Sequence, residues 1–302
     1  FCMEDFKLER VLGEGGFGKT YLAEVLNESL KKEWGNFVAI KLPSDKEKEE
    51  LLKRELLVNA DVLLKLKNVG GCPNIVQFLG ISRYKGYYTM IMEYVEGRSL
   101  KDIEKPLSIE EALSIIEDVL CGLVCLHKAG VLHRDIKPSN ILLTRENRVK
   151  LCDFGIAKLT ASNEKLLLRT GSYAYVPKER LVGEKEGFSS DIYSVGITLY
   201  ELLTGNSPFL GNSPGETVRN ILDKEAILPI FLNRKIGENL NKIIITSIAK
   251  DPKSRFQKAE DFFNVLRLYR KEGIKKDTYL EKEITEKPKP KMFVATGEWN
   301  KR

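Results

Sequence analysis

Only two histidines, His127 and His133, occur in the 302 residues, and neither stands at zinc-ligand spacing from a cysteine. A structural metal site is not expected on that ligand supply. Five irregularly placed cysteines are too few for a disulfide framework and point to a reducing compartment. Cys121 and Cys125, one helical turn apart, read as small buried hydrophobes. No stretch approaches the ~18 consecutive apolar residues of a membrane span, and the opening Phe-Cys-Met-Glu-Asp-Phe has no signal-peptide pattern. The segment itself is therefore expected to make no membrane contact. Neither sign of charge dominates: 49 Lys and Arg against 43 Asp and Glu leave +6, scattered along the chain. That gives no footing for a nucleic-acid function. With its cysteines pointing to a reducing compartment the chain is expected to be cytoplasmic, and, opening at Phe1 rather than Met, it reads as a candidate cytoplasmic domain of a longer protein.

What is present is an ordinary globular balance, 42% hydrophobic and 30% charged, in a chain long enough for two lobes. The first ninety or so residues read as short strands, 6–12, 21–25, 37–42, 75–81 and 87–94, broken by Gly- and Lys-rich turns. One helix interrupts them at 46–67, ending before the Gly70-Gly71-Cys72-Pro73 breaker. Beyond residue 95 the period becomes helical. Ser108 and Glu111 form a capping-box pattern ahead of a helix at 112–126, and further helices are expected at 190–203, 215–223, 239–249 and 259–271. The fold class is thus α+β, with a β-rich lobe at about 6–95 and a mostly helical lobe at about 96–272. Residues 273–302 are charge-rich, carry Pro288 and Pro290, and read as a peripheral tail or linker.

Three motifs carry chemistry. Gly13-Glu14-Gly15-Gly16-Phe17-Gly18 follows a strand, and its glycines would let backbone amides approach phosphate oxygens. Dinucleotide folds use the same spacing but follow it with a helix; Lys19-Thr20-Tyr21-Leu22 reads as a second strand, so a strand-turn-strand flap fits better. A plain hairpin turn would fit the glycines alone. In Val38-Ala39-Ile40-Lys41 a single cation leaves an apolar run, which needs a partner unless Lys41 is simply an edge-strand lysine. The third is His133-Arg134-Asp135-Ile136-Lys137-Pro138-Ser139-Asn140, with Asp153-Phe154-Gly155 starting thirteen positions beyond Asn140.

Together, in this order and spacing, these motifs closely resemble the eukaryotic-type (Hanks-type) Ser/Thr protein kinase family over about residues 6 to 271, in a style similar to its prokaryotic members. The resemblance implies the bilobal kinase fold, ATP with Mg²⁺ (or Mn²⁺) as cofactors, and transfer of the γ-phosphoryl group to Ser or Thr hydroxyls of protein substrates. It implies Asp135 as the base that orients the hydroxyl, Lys137 beside the γ-phosphate, Asn140 and Asp153 as metal ligands, and Lys41 on the α- and β-phosphates. A glutamate on the 46–67 helix should pair with Lys41; Glu55 is the choice, although family spacing falls nearer Asn59, and Glu55 as a surface residue is the other reading. The adenine slot is implied between Ala39 and Leu142, with Glu93-Tyr94-Val95 as hinge, Met92 at the gate of the back pocket, and Leu12 (or Val11) and Thr20 as roof. Thr20 replaces the family's more common valine. Cys152, next to Asp153, reads as an inert thiol rather than a pocket residue.

By the same likeness, 153–179 is the activation segment, with Thr160, Ser162, Thr170 and Ser172 as hydroxyls. Thr170 is the first candidate to carry a phosphate docked on Arg134, through autophosphorylation within a homodimer, while Ser172 would support Asp135 and Lys137. The segment closes with Pro177-Lys178-Glu179 where the family has Ala-Pro-Glu. Glu179 should pair with Arg255, and Asp191 should accept hydrogen bonds from the catalytic-loop backbone. Lys137-Pro138 marks the serine/threonine branch. Two rivals remain at this stage: a nucleotide-binding pseudokinase scaffold, and a small-molecule phosphotransferase, which would need no peptide shelf at 171–179.

Overall fold

The structure is a computed structural model, and it describes residues 2–15, 18–68, 71–153 and 172–273. Gly16, Phe17, residues 154–171 with Thr160, Ser162 and Thr170, and the tail from 274 lie outside the described residues.

The first lobe is a five-stranded antiparallel sheet: β1 (Phe6–Gly15), β2 (Gly18–Val25), β3 (Phe37–Leu42), β4 (Phe78–Tyr84) and β5 (Tyr87–Glu93), in the order β1-β2-β3-β5-β4. Strand period places alternate residues on opposite faces. Val38, Ile40 and Leu42 of β3 bury into one cluster with Phe6, Ala23, Val25 and Ile91. Ala39 and Lys41 therefore project from the other face, the one that overlooks the second lobe. β3 is central in the sheet, so Lys41, only 4% exposed, is not the edge-strand lysine that the sequence left open.

Helix α1 (Glu28–Trp34), which the periodicity did not reveal, is capped by Asn27 and sets Trp34 in a stack on Phe6. Helix α2 (Lys46–Asn68) lies against the sheet through Leu52 and Leu56, which meet Met90, and its far end feeds Val62 and Leu66 into the core of the second lobe. The expected strand at 75–81 begins later. Ile75 makes an isolated parallel bridge with Leu151 instead, because Asn74 and Val76 are tied by backbone hydrogen bonds to Leu151 in the second lobe.

That second lobe is built on α3 (Ile109–Lys128), whose Ser108–Glu111 capping box satisfies two orphan donors reciprocally. After it come α4 (Lys178–Leu181), α5 (Phe188–Thr204), α6 (Pro214–Asp223), α7 (Pro229–Leu232), α8 (Glu238–Ser247) and α9 (Ala259–Leu268). The expected helix at 259–271 changes to a π turn at Tyr269–Gly273. Buried on nearly every side, α5 is the hydrophobic axis of the lobe. A small sheet of β6 (Gly97–Ser99), β7 (Ile141–Thr144) and β8 (Val149–Leu151) lies between the lobes, carrying the candidate site at its ends.

Candidate active site

The segment 131–140 is a loop between α3 and β7, so its shape comes from side-chain anchors rather than a ladder. Asp191, in the first turn of α5, is the chief anchor. Its Oδ2 accepts from the His133 amide at 2.9 Å and its Oδ1 from the Arg134 amide at 2.7 Å. His127 of α3 adds a third contact, Nε2 to Oδ2 at 3.0 Å, which the sequence gave no signal for. Burial pushes the Asp191 carboxyl up, but His127, His133 and the Arg134 amide hold it below its ordinary value. Arg134 adopts φ +67°. A non-glycine residue in this left-handed region is held by its surroundings.

Beyond that bend Asp135, Lys137 and Asn140 converge. Asn140 Nδ2 donates to the Asp135 carbonyl at 2.9 Å and to its Oδ2 at 2.8 Å, and Lys137 Nζ lies 2.9 Å from the same Oδ2. Pro138 starts a single 3₁₀ turn through Asn140, and its carbonyl accepts from Ser99 Oγ at 3.1 Å. Asn140 is thereby turned inward, 5% exposed. Its carbonyl accepts from the Cys152 amide at 3.1 Å, which sets Asn140 beside the end of β8 and the residue that follows, Asp153. Cys152 is part-buried, and desolvation holds its thiol well above the ordinary range, in keeping with an inert reading.

Asp153 also has positive φ, +57°, and its Oδ1 accepts from Lys41 Nζ at 3.1 Å. Burial would raise its pKa, yet the Lys41 charge and hydrogen bond, with help from Lys137 and His133, depress it. Asp153 is thus held as a carboxylate whose side chain remains 36% exposed.

Two routes thus bring the five polar residues to one cleft: Lys41 from the first lobe through Asp153, and Asp135, Lys137 and Asn140 from the second. Thr20 stands opposite Lys41 in the β2–β3 register, and Ala39 pairs with Met92 across β3–β5. Leu142 pairs with Ser99, placing it on the small sheet next to Asn140. Glu93 ends β5, and Val95 follows in the connection to β6. Glu93 carries a tie that sequence reasoning missed: its carboxylate accepts from Lys150 of β8 at 2.6 Å and from the Gln77 amide at 3.1 Å, joining the lobes where the chain crosses between them.

The glycine turn splits by cause. Gly18, at φ +137°, has the carbonyl oxygen of Leu42 only 2.0 Å from where a Cβ would stand, so its glycine is dictated by the neighbouring strand β3. Around Gly13 a Cβ would meet nothing within 4 Å. Gly15 pairs with Gly18 to close the hairpin, and Leu12 is partly exposed above it. For Glu55 the structure gives its place on α2, on the same helical stripe as the buried Leu52, Asn59 and Val62; its side chain lies outside the described residues. Asn59 itself is 6% exposed.

Glu179 and Arg255 meet in the second lobe, Nη1 to Oε1 at 2.8 Å and Nη2 to Oε2 at 2.9 Å, with Ser190 Oγ adding a 2.6 Å bond to Oε1. Cys121 and Cys125 are half-buried on α3 rather than fully buried, because they lie toward the margin of the core.

Among known proteins, the family model described as protein kinase domain matches residues 6–265. A probable serine/threonine-protein kinase of Clostridium perfringens is 37% identical over 90% of this chain and 38% of its own length. The serine/threonine-protein kinase PrkC of Bacillus subtilis is 35% identical over 85% of this chain and 39% of its own. A probable serine/threonine-protein kinase PknB of Lactococcus lactis is 32% identical over 85% and 40%. The chain thus spans about two-fifths of the length of these curated relatives.

Proposed function

Because this chain belongs to the protein kinase domain family, we propose that it transfers the γ-phosphoryl group of ATP to serine and threonine hydroxyls of proteins. The observation that carries the reading is that Lys41 of the first lobe reaches Asp153, which the Cys152–Asn140 backbone bond sets beside the cluster of Asp135, Lys137 and Asn140.

Phosphoryl transfer asks little covalent chemistry of a protein; it asks for alignment and for charge placed where negative charge builds up. Asp135 serves as the base. Asn140 and Lys137 both grip its Oδ2, which fixes the carboxylate and leaves Oδ1 to meet the acceptor hydroxyl. Lys137 brings positive charge to the place where the γ-phosphoryl group sits. Lys41, buried on the central strand, anchors the α- and β-phosphates and holds Asp153 in register with them. Ala39 and Leu142, facing the cleft from the two sheets, take the adenine, with the 93–95 connection offering backbone hydrogen bonds.

Family membership implies use of ATP and a divalent metal. The donor set suits a hard cation, and we favour Mg²⁺: the amide nitrogen of Asn140 is committed to Asp135, its oxygen accepts only a long 3.3 Å bond from Ser139 Oγ and keeps a lone pair for a metal, and Asp153 is an ionised, partly exposed carboxylate. When bound, such an ion supplies neutralising charge to the phosphate oxygens.

Protein acceptors are supported by the Glu179–Arg255 pair, which pins the end of the 171–179 stretch to the second lobe. All five cysteines are free thiols, in keeping with a cytoplasmic setting. Autophosphorylation between two copies is part of the proposal and predicts a rate per molecule that rises with concentration.

The test is direct. The domain is incubated with ATP and Mg²⁺, alone and with a generic basic protein, and the products are mapped by mass spectrometry. Phosphoserine and phosphothreonine are expected; phosphotyrosine alone, or no phosphate at all, contradicts the reading.

A further inference from the structure

The bend that aims Asp135 is held by a cluster that no motif announces. Arg134 supplies its amide to Asp191, while its carbonyl accepts from Arg180 Nη1 of α4 at 2.7 Å. Its guanidinium is engaged as well: Nε lies 3.3 Å from Oε2 of Glu186. The other oxygen of Glu186 accepts from Arg180 Nε at 2.8 Å and, more closely still, from Arg180 Nη2. All three side chains are largely buried, at 15% or 16% exposed.

Two guanidinium groups packed this closely under low solvent repel one another unless an anion lies between them. Glu186 is that anion. It comes from the turn between α4 and α5, outside the 153–179 segment to which a regulatory phosphate was assigned. Resting on the kinase reading above, we propose that Glu186 is a positioning residue that does part of the work of a segment phosphate: through Arg180 and Arg134 it holds the left-handed bend ahead of Asp135, so the loop is assembled before any phosphate arrives. Arg134 Nε is buried and is not aligned for a hydrogen bond with Glu186, nor with another partner among the described residues. A phosphate added to the segment would pair with the charge of this Arg134–Arg180 cluster and reinforce an already formed loop rather than create it.

The experiment compares wild type, Glu186→Gln and Glu186→Asp, each either treated with phosphatase or phosphorylated on the segment in trans. Wild type should keep its activity within about threefold when dephosphorylated. Dephosphorylated Glu186→Gln should lose about ten- to a hundredfold in kcat with KM for ATP unchanged, since neither Arg134 nor Arg180 is assigned to the nucleotide, and segment phosphate should restore most of the loss. Glu186→Asp should restore it without phosphate. A purely structural role would lower both phosphorylation states alike. If dephosphorylation abolishes wild-type activity, or if Glu186→Gln shows the same phosphate dependence as wild type, the inference is overturned while the kinase reading stands. A wild type inactive in both states would instead strike the kinase reading. Should Glu186→Gln fail to fold, the phosphatase response of wild type still decides.

Discussion

Two acid–base pairs in this molecule use the same chemistry to opposite ends. Arg255 and Glu179 are 0% and 2% exposed at their side chains, and each is saturated: Arg255 also donates to the carbonyls of Ala249, Ser189 and Lys250, and Glu179 takes a further bond from Ser190. Lys41 and Asp153 meet at 3.1 Å, but Asp153 stays 36% exposed. The first pair is complete within the protein. The second keeps part of an ionised carboxylate exposed, which is the condition for holding something else. A pair built for structure closes around itself, and a pair built for a ligand remains open on one side.

Substitution should separate the two. Lys41→Met is expected to lower phosphoryl transfer by about 10²–10³ while thermal unfolding changes by only a few degrees, because the residue it leaves, Asp153, can reach solvent. Arg255→Met should do the reverse at first, costing about 3–5 kcal/mol of stability through the stranded buried carboxylate of Glu179. For a chain of this size that is a fall in melting temperature of roughly 10 °C, measurable by calorimetry. Equal losses of stability in both variants would erase the distinction.

Acid offers a second way to sharpen it. The buried His133 has its pKa lowered from 6.5, chiefly by desolvation and against the pull of Asp191 and Asp135. The unfolded chain therefore takes up this proton first, and stability falls as pH drops below about 6.5. Glu179, pushed up by burial but held below 4.5 by Arg255 and Ser190, contributes stability that is full above pH 4.5 and lost as pH falls further. Both effects share a sign. A melting temperature that rises as pH falls from 7 to 5 would contradict the first, and one that rises as pH falls below 4.5 would contradict the second. In Arg255→Met the lower of these two steps should shrink, since the group that depresses Glu179 is gone.

The smallest expected effect concerns the glycine turn. Gly18→Ala puts a Cβ against the Leu42 carbonyl at a φ that L residues rarely adopt, and should cost about 1–3 kcal/mol by chemical denaturation. Gly13→Ala meets no neighbour and should leave stability unchanged.

Much of this was legible in the sequence for identifiable reasons. The apolar run at 37–42 announced β3, and the loop at 133–140 stood out because the proposed phosphoryl transfer calls for the residue types of Asp135, Lys137, Asn140 and Asp153 at fixed spacing. Lys41 was legible as an oddity, a cation in an apolar run. Its central place in the sheet was not, since strand order depends on pairings between strands far apart in the chain. Ile75 looked like a strand residue and is apolar for another reason, its bridge to Leu151 between the lobes. The partners that shape the site, His127 on Asp191, Lys150 on Glu93 and Glu186 on Arg134, left no trace in composition or period. Charged residues of their kind are common on surfaces, and only the folded chain shows which ones turn inward.

The central claim is that the converging side chains of the cleft carry out phosphoryl transfer, and Asp135→Asn tests it most directly. Single-turnover transfer from ATP to a Ser/Thr protein acceptor is measured beside the variant's melting curve. The account predicts a fall of about 10²–10⁴ in rate with the fold and ATP binding retained. An unchanged rate in a folded Asp135→Asn protein would contradict it.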